Sequence, residues 1–179
     1  MRIISGKNRS RIIKMVNIDT TRETSDKVRG AIFNLIMPIP IKGIILDLFS
    51  GSGAMGLEAL SRGADYAYFN DINKKAYAIT KENVMALKYD DVAKITNLDY
   101  KNALKTYSKK FSFVFLDPPY KLLCCEEVMK YLLENDLLEE DALIICEISK
   151  DTTLADVDGL VLYKERQYGI KKICIYMRR

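Results

Sequence analysis

The segment Asp117-Pro118-Pro119-Tyr120 brings together residue types that suit a flat, amine-bearing group such as a nucleobase. It follows the apolar run 111–116, which predicts a buried strand. Two consecutive prolines lack backbone N–H groups, so they end the strand and stiffen the turn. A carboxylate and a carbonyl can then accept hydrogen bonds from an amine while the tyrosine ring stacks on the base. In isolation, however, this segment would more often be only a proline-stiffened loop.

A second motif favours the chemical interpretation. The apolar run 44–49 predicts a buried strand, and 54–62 predicts a helix. Between them, Gly51, Gly53 and Gly56 have the spacing G-x-G-x-x-G of a nucleotide-binding turn. We expect Gly51 to permit the tight turn, Gly53 to let a ligand approach the backbone, and Gly56 to let the helix pack on the strand.

An acid stands where this motif requires one. The strand predicted at 66–70 is followed by Asp71, twenty residues after Gly51. An acid at this distance can accept hydrogen bonds from ribose hydroxyls. Strand, loop, helix and acid together predict a cofactor that contains a nucleoside.

Asp47 distinguishes between cofactors. Its carboxylate, inside the first strand, would lie beside the loop, where it disfavours the pyrophosphate of a nicotinamide or flavin dinucleotide. The same position favours an ammonium or a sulfonium, and S-adenosylmethionine carries both. The alternative is that Asp47 only caps or orients the glycine loop.

These motifs carry a family resemblance. Residues 46–53 joined to 117–120 resemble the class I S-adenosylmethionine-dependent methyltransferases that modify exocyclic amines of bases. Residues 2–7, 21–29, 33–34 and 166–169 narrow the resemblance to the RsmD family, which are bacterial 16S rRNA guanine-N2 methyltransferases, and it runs essentially end to end. Two residues depart from the family pattern, Glu23 in place of a proline and Gly30 in place of an acid.

The resemblance implies functional residues. Asp117, Pro118, Pro119 and Tyr120 would be catalytic, and no metal is implied. S-adenosylmethionine, with S-adenosylhomocysteine as its product, would contact the loop and the acids that follow the strands, with Asp99 or Tyr100 meeting the adenine and Ile72 lying against its face. The expected set is Asp47, Phe49, Ser50, Gly51, Ser52, Gly53, Asp71, Ile72, Asp99 and Tyr100. Asp99 has an alternative role as a helix N-cap, and Ile72 as a core residue.

The charge distribution indicates RNA. Residues 1–30 carry a net charge of +5 and residues 164–179 also +5, whereas 31–163 carry −6. Clustered arginine is typical of phosphate recognition. We predict that the N-terminal segment contacts RNA through Arg2, Arg9, Arg11, Arg22, Thr24 and Arg29. The resemblance implies 16S rRNA in a partly or fully assembled 30S subunit.

Length and composition limit the classes of protein to which this chain could belong. The 179 residues predict a single domain, with 1–38 as a basic extension on a catalytic core at 39–179. No apolar run could span a bilayer, and the first residues lack the apolar region of a signal peptide. The chain has no histidine, and its four cysteines have no metal-binding spacing. We expect a cytoplasmic monomer with reduced thiols.

Alternating patterns predict a Rossmann-like α/β fold with a seven-stranded, mostly parallel sheet and helices on both faces. The last two strands should form an antiparallel edge because their connection is too short for a crossover. Residues 2–5 and 11–16 predict a small hairpin, followed by a helix from Thr24 or Ser25 to about Met37. The other strands are predicted near 92–97, 112–116, 142–147, 160–164 and 171–177, and the other helices near 73–88, 100–107, 124–134 and 137–140.

Four alternatives remain at this stage. An adenine-N6 methyltransferase acting on DNA or RNA would use the same pocket, although such enzymes, like protein-glutamine methyltransferases, more often carry Asn at the position of Asp117. A nicotinamide oxidoreductase would need a second domain or a Tyr/Lys pair, and neither is evident. A non-catalytic RNA-binding module would not need residues 117–120.

Overall fold

A seven-stranded sheet forms the centre of the protein, with the strand order β3-β2-β1-β4-β5-β7-β6. The computed structural model describes residues 1–16 and 26–179. The strands are β1 (Ile44–Asp47), β2 (Tyr66–Asn70), β3 (Ala93–Thr96), β4 (Phe111–Leu116), β5 (Leu138–Ser149), β6 (Leu160–Tyr168) and β7 (Lys171–Arg178). The helices are α1 (Asp26–Ile36), α2 (Ala54–Arg62), α3 (Lys74–Ala86), α4 (Tyr100–Leu104) and α5 (Cys125–Glu134), with a 3-10 turn at Asp90–Val92.

The first five strands are parallel, and β7 is antiparallel to both of its neighbours. This confirms the predicted class I sheet with its antiparallel C-terminal edge. One predicted helix was wrong, because residues 138–140 begin β5. The apolar residues at 137, 138 and 142–146 are buried, on both faces of the sheet. A continuous apolar run of this kind is typical of a central strand.

The two faces of the sheet carry different helices. Buried side chains from α1, α2 and α3 pack on one face, around Ile45, Phe69 and Phe113. Those from α4 and α5 pack on the other, around Leu46, Val114 and Ile144. Adjacent strand residues point to opposite faces, so both faces are apolar and the sheet is covered on each side. Among the described residues, no helix is both long and apolar enough to cross a bilayer.

The N-terminal segment packs against α2. The predicted hairpin is present in short form, with one antiparallel bridge between Arg2 and Ile12 and a bond from the Ile3 N–H to the Arg11 carbonyl at 2.9 Å. Gly6 lies so close to α2 that a side chain there would collide with the Ser61 carbonyl. The helix start predicted at Thr24 or Ser25 falls outside the described residues.

A buried carboxylate joins this segment to the core. Glu58 on α2 is fully buried and accepts the backbone N–H groups of Ile4 and Ser5 at 2.8 and 3.0 Å. It also pairs with Arg62 at 2.7 Å and with Arg29 of α1 at 3.6 Å. Several charge-assisted contacts thus compensate the cost of burying the carboxylate.

We expect Glu58→Gln to lower the free energy of unfolding by about 3–5 kcal/mol, because buried Arg29 would keep only the partly exposed Asp26 as a carboxylate partner. The matched control is Glu82→Gln, which removes an exposed ion pair with Lys14 and should cost no more than about 1 kcal/mol. Urea denaturation of both variants checks this. An equal loss of unfolding free energy in both variants would show that Glu58 does not join the N-terminal segment to the core through buried contacts.

Candidate functional site: a nucleoside site beside an acceptor cleft

A loop of positive-φ glycines joins β1 to α2. Gly51 and Gly53 have φ angles of 54° and 80°, a region that favours glycine. A side chain at Gly51 would meet no atom within 4 Å, whereas one at Gly53 would lie 3.0 Å from Thr80 on α3. Gly51 therefore has the turn conformation expected of it and is also the more open of the two, whereas Gly53, where the open backbone was expected, packs on α3. Gly56 has its expected role, because a side chain there would collide with Phe69 of β2.

Asp71 holds the loop from the side of β2. One carboxylate oxygen accepts the Gly51 N–H at 2.9 Å and the other accepts the Asn73 N–H at 2.8 Å. Burial raises the pKa of Asp71 above its ordinary value, although these two hydrogen bonds oppose the shift. A carboxylate can accept about four hydrogen bonds, so this structural role is compatible with binding ribose hydroxyls.

Asp47 lies beneath the other end of the loop. It is buried, and its carboxylate accepts the Gly56 N–H at 3.0 Å. Burial raises its pKa to about 7; the Gly56 bond opposes the shift, and the charge of Asp71 adds to it. The alternative role, orienting the glycine loop, is therefore present. A cation close to this carboxyl would lower its pKa and favour the charged form.

The acid after β3 caps a helix. Asp99 accepts the Lys101 N–H at 2.9 Å as the N-cap of α4. Tyr100 is buried, and its hydroxyl donates to Glu127 at 2.9 Å, with Phe49 packed 5.7 Å from its ring centre. The expectation that Tyr100 meets the adenine is not supported by this placement, and Asp99 is the better candidate. Ile72 is 68% exposed, which excludes its alternative core role.

Three buried polar residues beneath the loop had not been predicted. The Asn70 side chain donates to the Leu48 carbonyl at 3.3 Å, the Thr80 hydroxyl donates to the Gly51 carbonyl at 2.9 Å, and Asn83 donates to the Ser52 carbonyl at 2.9 Å. Asn83 also bonds the backbone of Lys14, which ties the loop to the N-terminal segment. A polar residue at the end of an apolar strand was a signal for Asn70; nothing in the helical pattern of α3 singled out the other two.

The acceptor segment lies at the end of β4. Pro118 is buried, Asp117 is partly buried, and Tyr120 is 41% exposed. The Leu122 N–H donates to the Pro119 carbonyl at 2.7 Å, which closes the turn. Pro118, Pro119 and Tyr120 line one wall of a cleft whose other wall includes Glu147 at the end of β5.

Lys171, another residue that the sequence did not single out, lies beside this cleft. It begins β7, and its ammonium forms an ion pair with Glu147, with only 11% and 4% of the two side chains exposed. Burial lowers the pKa of Lys171, but attraction by Glu147, and more weakly by Asp117 and Tyr120, outweighs burial and raises it overall. The lysine therefore carries a positive charge next to the acceptor segment.

The predicted RNA-binding residues separate into two groups. Arg2, Arg9 and Arg11 are exposed, and Arg11 also donates to the Ala86 carbonyl at 3.2 Å. The prediction that Arg29 contacts RNA was wrong, because its side chain is fully buried. Arg29 donates to the Arg2 carbonyl and pairs with Asp26 and Glu58, so it holds the N-terminal segment against the core. Arg22 and Thr24 lie outside the described residues.

Among the residues that the structure describes, no cluster of three or more His, Cys, Asp or Glu side chains could hold a metal ion. The four cysteines are buried and free, and burial raises the pKa of Cys124 and of Cys174 to about 12. Cys124 and Cys174 are therefore uncharged thiols.

The sheet order and the likeness to solved methyltransferase structures place the protein among the Rossmann-like class I methyltransferases. More specifically, the chain belongs to the family described as "Conserved hypothetical protein 95", which matches residues 1–177.

Named relatives agree with this assignment. The chain is 38% identical to the "Putative rRNA methyltransferase YlbH" of Bacillus subtilis, with 100% of both chains covered. It is 35% identical to the "Ribosomal RNA small subunit methyltransferase D" of Haemophilus influenzae, covering 98% of this chain and 93% of that protein. A solved structure titled "Putative methyltransferase yhhF from Escherichia coli" has a TM-score of 0.89 at 30% identity, covering 100% of this chain and 98% of that one.

The raised pKa of Asp47 predicts a pH-dependent stability. The folded state keeps this carboxyl protonated up to about pH 7, whereas the unfolded chain releases the proton near 3.8. The contribution of Asp47 to the free energy of unfolding must therefore fall as pH rises from about 4 to about 7.

Asp47→Asn keeps an acceptor for the Gly56 N–H and removes this titration. Between pH 4 and 7, the variant should gain about 2–4 kcal/mol of stability relative to the wild type, from about 1.4 kcal/mol per pKa unit. Urea unfolding of both ligand-free proteins across this range measures the difference. Parallel pH profiles would contradict the assignment.

Proposed function

We propose that this protein transfers a methyl group from S-adenosylmethionine to the exocyclic N2 amine of a guanine in 16S rRNA. The observation that carries the proposal is the adjacency of two sites. The glycine loop follows β1 and the acceptor segment follows β4, and these strands are parallel neighbours, with Asp47 paired with Phe115. A cofactor on the loop and a base in the cleft would therefore lie side by side. The printed names of the relatives support ribosomal RNA as the substrate.

The cofactor site fits S-adenosylmethionine in its chemistry. The carboxylates of Asp71 and Asp99 can accept from ribose hydroxyls and from the adenine amino group, and Gly51 offers an open backbone approach. The carboxyls of Asp47 and Asp71 lie beneath the loop with raised pKa values, so a bound cation would favour their charged forms, whereas a pyrophosphate would be repelled by any charge on them. When bound, S-adenosylmethionine supplies a methyl group activated by its sulfonium. The remaining predicted contacts are Phe49, Ser50, Ser52 and Gly53 on the loop, and Ile72.

The acceptor segment positions the amine. In the proposed role, the Asp117 carboxylate and the Pro118 carbonyl accept the two N–H bonds of the guanine amine, which turns its lone pair out of conjugation with the ring. As positive charge grows on the nitrogen, the carboxylate stabilises it. Tyr120, exposed at the cleft, stacks on the base after the base has left its helix. The proton that the nitrogen loses passes to Asp117 or to water.

The basic segments provide affinity for RNA. Arg2, Arg9 and Arg11 are exposed on the N-terminal segment, and such contacts position nucleic acid without reading its sequence. We propose that the protein acts as a monomer in the bacterial cytoplasm, on a 30S subunit or its precursor, where ribosomal proteins fix the shape of the target. A small domain with a short basic arm has little surface of its own for selecting one nucleotide.

The direct test supplies labelled S-adenosylmethionine and the protein with 30S particles that lack native methylation, with naked 16S rRNA and duplex DNA in parallel. We expect N2-methylguanosine at one 16S site, found by nuclease digestion and mass spectrometry, and more transfer to particles than to naked RNA. Label in N6-methyladenine or in DNA would keep the fold and cofactor and overturn the guanine assignment. Label in protein would overturn the nucleic-acid substrate.

Substitutions at the acceptor segment should affect catalysis more than cofactor binding. Asp117→Ala should lower kcat by about 10²–10³-fold, because one pre-positioned partner of the developing charge is lost. Tyr120→Ala should lower kcat/KM by about 10–100-fold through lost stacking, whereas Tyr120→Phe keeps the ring and should stay near wild type. S-adenosylmethionine binding by calorimetry should be unchanged in all three. A parallel loss of binding would move these residues from the acceptor site to the cofactor site.

A further inference from the structure

Three charged side chains lie in a row where neighbouring strands end. Leu116 of β4 pairs with Cys146 of β5, so the next residues, Asp117 and Glu147, come side by side. Lys171 starts the antiparallel strand β7 and pairs with Ser149, which brings its ammonium to Glu147. The order across the sheet is therefore carboxylate, carboxylate, ammonium.

The middle member of this row belongs to the cleft. Glu147 is 3% exposed, yet it lines the same cleft as Pro118 and Tyr120. A buried ion pair is often no more stabilising than an apolar pair of similar size, so packing alone does not explain this one. Its position on the cleft wall gives it a second use, because a carboxylate accepts about four hydrogen bonds and pairing with Lys171 is compatible with accepting an N–H from a ligand.

The row is complementary to one base. The pairing edge of guanine presents, in order, the N2 amine (a donor), N1–H (a donor) and O6 (an acceptor). We propose that Glu147 determines specificity by accepting guanine N1–H while Asp117 holds the N2 amine, and that Lys171 positions Glu147 and faces O6. This inference rests on the proposed function and adds the groups that select the base.

Adenine would be rejected by the same row. With its N6 amine at Asp117, adenine turns the unprotonated N1 toward Glu147, so that two acceptors face each other without a proton between them. A site built to accept a hydrogen bond discriminates strongly against an analogue that lacks the donor, because buried polar groups are left unpaired. The proposed specificity for guanine over adenine then has a defined origin in Glu147.

The test keeps the N2 amine that accepts the methyl group and removes only N1–H and O6, the groups that Glu147 and Lys171 would contact. 16S rRNA is assembled by ligation with guanine or 2-aminopurine at the nucleotide that the wild-type enzyme modifies, then built into 30S particles. 2-Aminopurine retains the N2 amine but lacks N1–H and O6. Single-turnover rates on both substrates are measured for the wild type, for Glu147→Gln and for the matched control Glu165→Gln, which removes the pair with Lys172 on the same hairpin.

The wild type and Glu165→Gln should prefer guanine by roughly 10- to 100-fold. In Glu147→Gln the preference should shrink by about tenfold or more, because the amide can donate to N1 of 2-aminopurine as well as accept from guanine. The comparison between enzymes cancels the intrinsic difference in reactivity between the two amines. A purely structural role for Glu147 would slow both substrates equally and leave the ratio unchanged, and this result would overturn the inference.

Two other outcomes are covered by the design: a variant that does not fold, and a failure of the proposed function itself. If Glu147→Gln does not fold, as judged by its thermal midpoint, the double variant Glu147→Gln/Lys171→Met removes both buried charges and takes its place; an unchanged preference there overturns the inference as well. Failure of the proposed function has a different signature, since the wild-type enzyme would then place no methyl group on any guanine N2.

Discussion

Two carboxylates hold the glycine loop, and the proposed cofactor site depends on them. Asp71 accepts the Gly51 N–H, and Asp47 accepts the Gly56 N–H at the first turn of α2. Holding a loop by acids has an electrostatic consequence. Both groups are desolvated, which raises their pKa values, and the charge of Asp71 adds to the shift at Asp47, so negative charge beneath the loop is unfavourable. A cation bound above the loop would relieve this cost, whereas a pyrophosphate would increase it. The way the loop is built therefore favours a sulfonium-bearing cofactor over a dinucleotide.

A second constraint couples the N-terminal segment to this loop. Glu58 fixes the backbone at Ile4 and Ser5, and Asn83 bonds both the Ser52 carbonyl and the backbone of Lys14. Changes in the basic segment would be transmitted to the cofactor loop through buried hydrogen bonds, which are costly to leave unpaired. The arginines that the structure describes among residues 1–30 consequently fall into two groups: Arg29 is a buried cation, whereas Arg2, Arg9 and Arg11 are exposed and could meet phosphate.

Much of this architecture was predictable, because short apolar runs, glycine spacing and acids after strands are local signals. The sheet, the loop and the acceptor turn follow from them. The burial of Arg29 was not predictable, since an arginine in a basic segment has the same local pattern whether it meets phosphate or a carboxylate such as Glu58, which is distant in sequence. The helix expected at 137–140 was wrong because its charged residues resemble a helical surface, although Leu138 already pairs with Phe111 in the sheet. Residues beneath the loop, such as Thr80 and Asn83, owe their roles to tertiary contacts alone.

The topology also explains why the sequence did not predict that Lys171 lies beside the cleft. In a parallel sheet, functional residues follow the carboxyl ends of strands, and this rule finds Asp71, Asp99 and Asp117. β7 runs in the opposite direction, so its first residue, not its last, lies at the functional edge. The order of strands then divides the proposed site, with the proposed cofactor residues following β1, β2 and β3 and the proposed acceptor residues on β4, β5 and β7. Because β7 is reversed, a positive charge lies beside the carboxylates of Asp117 and Glu147, and a base that presents both donors and an acceptor would be complementary to that mixture.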